Sequence, residues 1–402
     1  MTFLLVFSLL FLFAVLISQR LERGILSCSI LFLFGGLVCG DGALGLLSVS
    51  PKDPMVAALA RLALFSTLVT EGAKLKAADI SPALRLAGRA LLAAMPLTLL
   101  GIALLAHFLL DIGWGPAFLV GTVLSPTDPV FAAAIVRQEQ VPYQLRRLLN
   151  IESGVNDGLA LPVVMILLAR LGAEPTELAA LAAELLGGVA LGLAVAFGAT
   201  WLERRQPFSV AGRLRPLFGL SVAMLVFSVA RTSGVNEYLA AFSAGVMLTH
   251  GHEQLGADFV GLGDQLTEVF KLLAVFALGV LLSTEASTEF LLVDIAFALL
   301  TLFITRIAAM QIALVRSPLD WRERMTAAWF GPKGFASIAY AILVLQSGLP
   351  SAKLLFDAIA LTVTASICLH SSTDTLVASW LGDHAKRHEP AAERQPHRQA
   401  VQ

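Results

Sequence analysis

Runs of about 20 apolar residues, joined by loops too short for a soluble domain, recur along this chain and leave it one kind of fold. In hydrocarbon every backbone N–H and C=O must find a partner inside the protein, and a run of this length does so as a helix. Hydropathy gives about 13 such spans: 2–17, 24–40, 54–73, 85–110, 115–137, 147–171, 177–202, 216–232, 236–250, 264–283, 290–315, 323–347 and 353–379. A chain that is 57% hydrophobic and 14% charged is too apolar for a soluble globule. A net charge of −1 gives no reason to expect nucleic acid as a partner, and the short loops leave no room for a nucleotide-binding module. Cys28, Cys39 and Cys368 lie in apolar spans without metal-ligand spacing and read as small core residues.

The first 23 residues, MTFLLVFSLLFLFAVLISQRLER, superficially resemble a secretion signal. Their positive charges follow the apolar run and no small-residue cleavage site is present, so a retained first transmembrane helix is expected. Residues 1–383 read as one transmembrane domain, and 384–402 as a polar, disordered cytoplasmic tail.

The basic residues orient the spans. With the N-terminus outside, the inner loops hold Arg20, Arg23, Lys74, Lys76, Arg137, Arg146, Arg147, Arg204, Arg205, Arg213, Arg215, Arg316, Arg322 and Arg324, and the tail adds Lys386, Arg387, Arg394 and Arg398. The outer side keeps few, such as Lys52, Arg170, Arg231 and Lys353. This asymmetry fits an odd number of spans, N-out and C-in.

Two spans are interrupted. Span 5 carries Ser125-Pro-Thr-Asp-Pro129, and span 12 carries Phe330-Gly-Pro-Lys-Gly334. They are equivalent if spans 1–6 and 8–13 form two halves, and an offset of seven spans inverts one half relative to the other. Paired interrupted helices in matching positions point to a binding site at the midplane of an inverted-repeat transporter. Both breaks coincide with ionisable residues. The expected fold is therefore an all-α polytopic membrane protein whose broken helices 5 and 12 cross.

Asp128 lies at the first break, and the following span starts with Glu152, Ser153, Asn156 and Asp157. A charge within a membrane costs roughly 2.5–3.5 kcal/mol even on the most lenient scale, and a broken helix leaves carbonyls without partners. Ser153 and Asp157 are four apart and share one helix face. Asp157, Asp128, Ser153 and a carbonyl such as that of Thr127 make an oxygen cage suited to a hard cation. Loss of water favours a neutral carboxyl, whereas a nearby cation favours the anion, so proton and cation compete for Asp157. If only the loaded carboxylate crosses between two access states, competition becomes coupled exchange, without ATP or a cofactor.

TDP in a broken helix followed by ESGVNDG (Glu152 to Gly158) resembles the monovalent cation:proton antiporter-1 family, in particular its prokaryotic NhaP group. The resemblance covers essentially the whole chain. It implies that Asn156–Asp157 is the family's Asn-Asp pair, with Asp157 as carrier. Related electrogenic antiporters have Asp in place of this Asn, so electroneutral exchange of one Na+ (or Li+) for one H+ is implied. It implies further that Asp128 with Thr127, and Ser153, are cation ligands, and that Glu71 acts at longer range or through water. Glu152 is expected to pair structurally with Arg306 in span 11. A homodimer is implied, in which a core bundle moves against a dimerisation domain in a bacterial or archaeal inner membrane. Neither an enzyme activity nor a cofactor is implied.

The chain departs from the family at Lys333, where an arginine is usual. Lysine cannot make a forked contact, so Lys333 is expected either as a structural cation at the break or as a modifier of pH response or ion choice. Lys271 reads as a snorkelling residue near the inner end of span 10, or as a partner for the site charge or for Glu268. K+/H+ exchange on the same fold is the nearest alternative. An intramembrane aspartyl protease built on Asp128 and Asp157 is a different class, and a channel is another.

Overall fold

Local chemistry starts and stops the helices of this computed structural model, which describes residues 2–23, 27–50, 53–75, 82–128, 141–172, 177–285 and 292–388. Asp53 caps Pro54–Lys74 by accepting from the Met55 N–H at 2.9 Å, and proline stands at its first position, where no N–H is needed. Asn236 caps Glu237–Gly251 by accepting from the Leu239 N–H at 3.0 Å. Asp320 and Glu323 form a reciprocal capping box. Gly234, at φ 68°, supplies the left-handed turn that ends Arg215–Ser233.

The described helices follow the predicted spans. They are α1 Thr2–Leu16, α2 Cys28–Cys39, α3 Pro54–Lys74 and α4 Pro82–Arg89 continued by Met95–Leu109. Next come α5 Trp114–Leu124, α6 Tyr143–Leu171, α7 Leu178–Glu203, α8 Arg215–Ser233, α9 Glu237–Gly251 and α10 Glu253–Glu285. The last are α11 Leu292–Leu300 continued by Arg306–Ala313, α12 in two pieces, Trp321–Trp329 and Phe335–Gln346, and α13 Ala352–His388. A short helix, Ser18–Arg23, follows α1. Among the described residues, 8 helices are long and apolar enough to cross a membrane unaided. The shorter apolar helices include α1, α2, α5 and the second piece of α12. The molecule is an all-α, multi-pass membrane protein.

The repeat shows in irregularities as well as in breaks. α4 and α11, seven elements apart, each contain a π-helical turn, at Ala90–Ala94 and Thr301–Thr305. Such turns rotate the side chains that follow. Helices pack closely through small residues. A Cβ on Gly245 would stand 2.1 Å from the Val69 carbonyl oxygen, so α9 and α3 touch backbone to backbone. α1 is packed into the body, with Phe7 buried against Phe32 and Phe276.

Two boundaries differ from expectation. α10 begins at Glu253 rather than near 264, because EQLGADFVGLGD contains no proline, its glycines weaken a helix by only about 1 kcal/mol each, and its first turns can leave the apolar layer. α13 continues as helix through His384 to His388, ahead of Pro390. The rest of the expected tail, with Arg394 and Arg398, lies outside the described residues, as do Pro129, Lys52, Lys76 and Arg137.

Candidate functional site

α5 stops at Leu124, and Pro126, Thr127 and Asp128 are not helical. α12 stops at Trp329 and resumes at Phe335. The two interruptions meet. The Asp128 N–H donates to the Pro332 carbonyl at 3.0 Å, and the Phe335 N–H donates to Asp128 Oδ2 at 3.2 Å. The Ser337 hydroxyl donates to the Val123 carbonyl at 2.7 Å. Each break thus satisfies backbone groups orphaned by the other, which is how irregular backbone survives at membrane depth. Gly334 permits the approach: a Cβ there would stand 1.9 Å from that of Asp128.

α6 supplies the other wall. Asn156 Nδ2 donates to Thr127 Oγ1 at 2.8 Å and to the Thr127 carbonyl at 3.3 Å, holding the non-helical segment of span 5 against α6. Its Oδ1 is buried with no hydrogen-bond partner among the described residues. Ser153 donates its hydroxyl proton to the Leu149 carbonyl at 2.7 Å, which leaves its oxygen lone pairs available. Asp157 lies one turn further along, 5% exposed, and its backbone carbonyl accepts from the Tyr340 hydroxyl at 3.0 Å. Among the described residues its carboxylate makes no hydrogen bond and no ion pair. Its charged surroundings are Asp128, Lys271 and Glu71.

Lys271 corrects the snorkelling expectation. It is 4% exposed and donates to Asp128 Oδ1 at 3.1 Å, across from α10 to the α5 break. Once α10 starts at Glu253, Lys271 stands 18 residues into the helix, about 27 Å from its start, too deep to reach headgroups. The signal in sequence was a lone lysine within FKLLAVFALGV whose helix could be extended backwards.

Glu152 and Arg306 form a forked pair, 2.7 Å and 3.1 Å, between side chains 3% and 4% exposed. Arg306 follows directly on the π turn of α11 and packs over Gly331, where a Cβ would stand 1.7 Å from its Nε. Lys333 is 1% exposed, and its backbone N–H donates to Ser366 Oγ at 2.7 Å. Its ammonium nitrogen has no hydrogen-bond partner among the described residues, so it does not join the Glu152–Arg306 fork.

Glu71 is buried at the end of α3, where Lys74 donates to it at 2.9 Å and also pairs with Asp264 at 2.8 Å. Glu71 faces α6 at Gly154, where a Cβ would stand 2.9 Å from its Oε2. Both line a cavity of about 570 Å³, together with Arg146, Arg147, Asn150 and Asp264. The cavity therefore reaches α6 one turn short of Asp157. Asp264, Lys74 and Tyr340 were not singled out as site residues from the sequence, because their neighbours come from distant helices.

A family model described as "Sodium/hydrogen exchanger, transmembrane" matches residues 6–380. The chain belongs to this family. Among curated relatives of this family member, a K(+)/H(+) antiporter NhaP2 of Shewanella sp. (strain MR-4) is 25% identical over 387 residues, covering 94% of this chain and 66% of that protein. A K(+)/H(+) antiporter NhaP of Alkalimonas amylolytica is 26% identical over 389 residues, with the same coverage. A Na(+)/H(+) antiporter of Schizosaccharomyces pombe is 24% identical over 250 residues, 56% of this chain and 53% of that one. The chain thus spans 66% of the length of the two NhaP-type relatives. In fold it matches the sodium proton antiporter MjNhaP1 from Methanocaldococcus jannaschii, with a TM-score of 0.75 at 18% identity, over 96% of this chain and 99% of that one.

Proposed function

We propose that this protein is a secondary antiporter that exchanges a monovalent cation, Na+ or Li+ in the first reading, for a proton across the membrane. The observation that carries the reading is Asp157: a buried carboxylate with no partner of its own, one helix turn from a cavity, beside an Asp128 that already holds Lys271. An unpaired buried carboxylate is costly, several kcal/mol per ion, and binding either a cation or a proton removes the cost. Two loads that satisfy one group cannot occupy it together. Exchange follows if the crossing of α5 and α12 moves between access states only when loaded. One proton or one cation per carboxylate makes the exchange electroneutral.

The donor set is oxygen only and suits a hard cation: the Asp157 carboxylate, Ser153 Oγ, Thr127 and the unpaired Oδ1 of Asn156. Asp128 joins this set when the cation displaces Lys271 from it, and Glu71 attracts cations into the cavity. The Glu152–Arg306 fork and Lys333 are structural. An aspartyl protease shares a proton between two carboxyls, whereas Asp128 is here committed to Lys271 and to the Phe335 N–H. The names of the two NhaP-type relatives support K+ as the second reading. The arginine and lysine distribution supports an N-terminus outside and the Arg146–Arg147 cavity on the cytoplasmic side, and the proposed membrane is a bacterial or archaeal inner membrane. A homodimer is part of the same proposal.

Proton flux in inside-out vesicles from cells without their own antiporters tests the function. Na+ or Li+ is expected to collapse a respiration-driven pH gradient. A response to K+ alone establishes the second reading, and no response from inserted protein between about pH 6 and 9 overturns both.

Lys271 competes with the incoming cation for Asp128. Lys271→Met is expected to lower the half-saturating cation concentration by about tenfold or more, since two unit charges 4 Å apart interact by about 4 kcal/mol at an effective dielectric constant of 20. An unchanged half-saturation in the same vesicles would show that the pair is only structural.

A further inference from the structure

Outside the transport site, a groove of about 470 Å³ opens where α7 ends and α8 begins. Its walls are mostly hydrocarbon, including Leu202, Phe208, Phe218 and Leu225, with Glu203 and Ser209 at the rim. Leu202, Phe208 and Leu225 are 42%, 52% and 52% exposed, so the groove faces outward and not into the helix bundle. Around it the chain reads Arg204, Arg205, Arg213 and Arg215 with no acidic residue between them.

These arginines are only partly committed. Arg204 donates to the Gly251 carbonyl, and Arg215 stands 4.0 Å from Asp258, a weak pair. Arg205 stacks on Trp201 at 4.9 Å. Among the described residues, Arg205 and Arg213 have no carboxylate partner. The nearest acid of the groove, Glu203, faces His252 at 3.8 Å. The lining segment 207–210 lies in sequence between the exposed Arg205 and Arg213, and Glu203 is the one charged residue of the lining. An apolar slot flanked in this way at the end of two membrane helices suits a lipid with an anionic headgroup. Charge attracts the phosphate, and the slot accepts acyl chain.

We propose that this groove is a specific site for one anionic phospholipid of the leaflet that the arginines face, with its headgroup between Arg205 and Arg213 and a chain along Phe218 and Leu225. The site lies against Gly251 and His252, where α9 passes into α10, the helix that carries Lys271. A bound lipid therefore braces that joint.

The test uses the full chain purified in neutral detergent, with thermal midpoint and native mass spectrometry as readouts. Phosphatidylglycerol and phosphatidylcholine with identical chains are titrated in turn. Phosphatidylglycerol is expected to raise the midpoint and to stay bound in preference to phosphatidylcholine. Arg205→Gln/Arg213→Gln, both exposed side chains, is expected to weaken that preference about thirtyfold, a roughly fivefold factor per arginine near an anionic headgroup. Ser221→Trp, which fills the slot, is expected to abolish it. Arg20→Gln/Arg322→Gln, with the same loss of charge on the same face, is expected to retain it. Equal response of the wild type to both lipids, or a preference that survives in the Arg205/Arg213 variant, overturns the proposal. Loss in the arginine variant but retention in Ser221→Trp overturns the groove and leaves only headgroup adsorption.

Discussion

Asp157→Asn is expected to reduce cation-dependent proton flux to the level of vesicles without the protein, while leaving the protein inserted and at least as heat-stable as the wild type. The two halves of this prediction have one cause. The amide is nearly isosteric but takes no proton and holds no cation by charge, so neither load can be exchanged. It also removes a buried carboxylate that has no partner among the described residues, and such a charge costs several kcal/mol. A residue that lowers stability in the empty state and is indispensable to transport is what a carrier group should be. Normal exchange by the variant would remove Asp157 from the site. A large fall in thermal midpoint would mean that its carboxylate has a structural partner after all.

Arg306→Met should be the most destabilising single change in the core. The forked pair with Glu152 is buried on both sides, and breaking such a pair leaves a charge with nothing to balance it, about 3–5 kcal/mol. The expected result is a strong loss of thermal midpoint and of membrane abundance, not a change in ion preference. Glu152→Gln/Arg306→Met should recover much of the loss, because it removes both charges together. Wild-type stability in the single variant would count against the pair as a brace. The reason for placing a brace here is the break in α12: Arg306 packs over Gly331, the second residue of the interruption, and its Nη2 reaches the Ala327 carbonyl at 3.4 Å.

Much of the architecture was legible because the membrane restricts backbone choices so severely. Apolar runs of about 20 residues can only be helices, so element number and order followed from hydropathy, and interruptions at SPTDP and FGPKG were visible as broken rules. The pairing of Glu152 with Arg306 was implied by the family resemblance, and a mid-membrane arginine without a partner is costly. Helix ends were less legible. α10 runs well beyond its apolar part, since a helix continues into polar sequence wherever nothing stops it. That single boundary misplaced Lys271, which looked close to a surface and is buried against Asp128.

The sequence by itself determined that this chain crosses the membrane many times, that two of its spans break, and that a carboxylate-bearing motif starts the span after the first break. Those are properties of consecutive residues, set by the cost of unsatisfied backbone and charge in hydrocarbon. Only the tertiary structure decided which charges neutralise each other. It gave Asp128 to Lys271, Glu71 and Asp264 to Lys74, and Glu152 to Arg306, and it left the Asp157 carboxylate and the Lys333 ammonium without hydrogen-bond partners among the described residues. Ion pairs act over a few ångströms in space, between residues as distant in the chain as Lys74 and Asp264, and no local pattern records which of several candidates will meet.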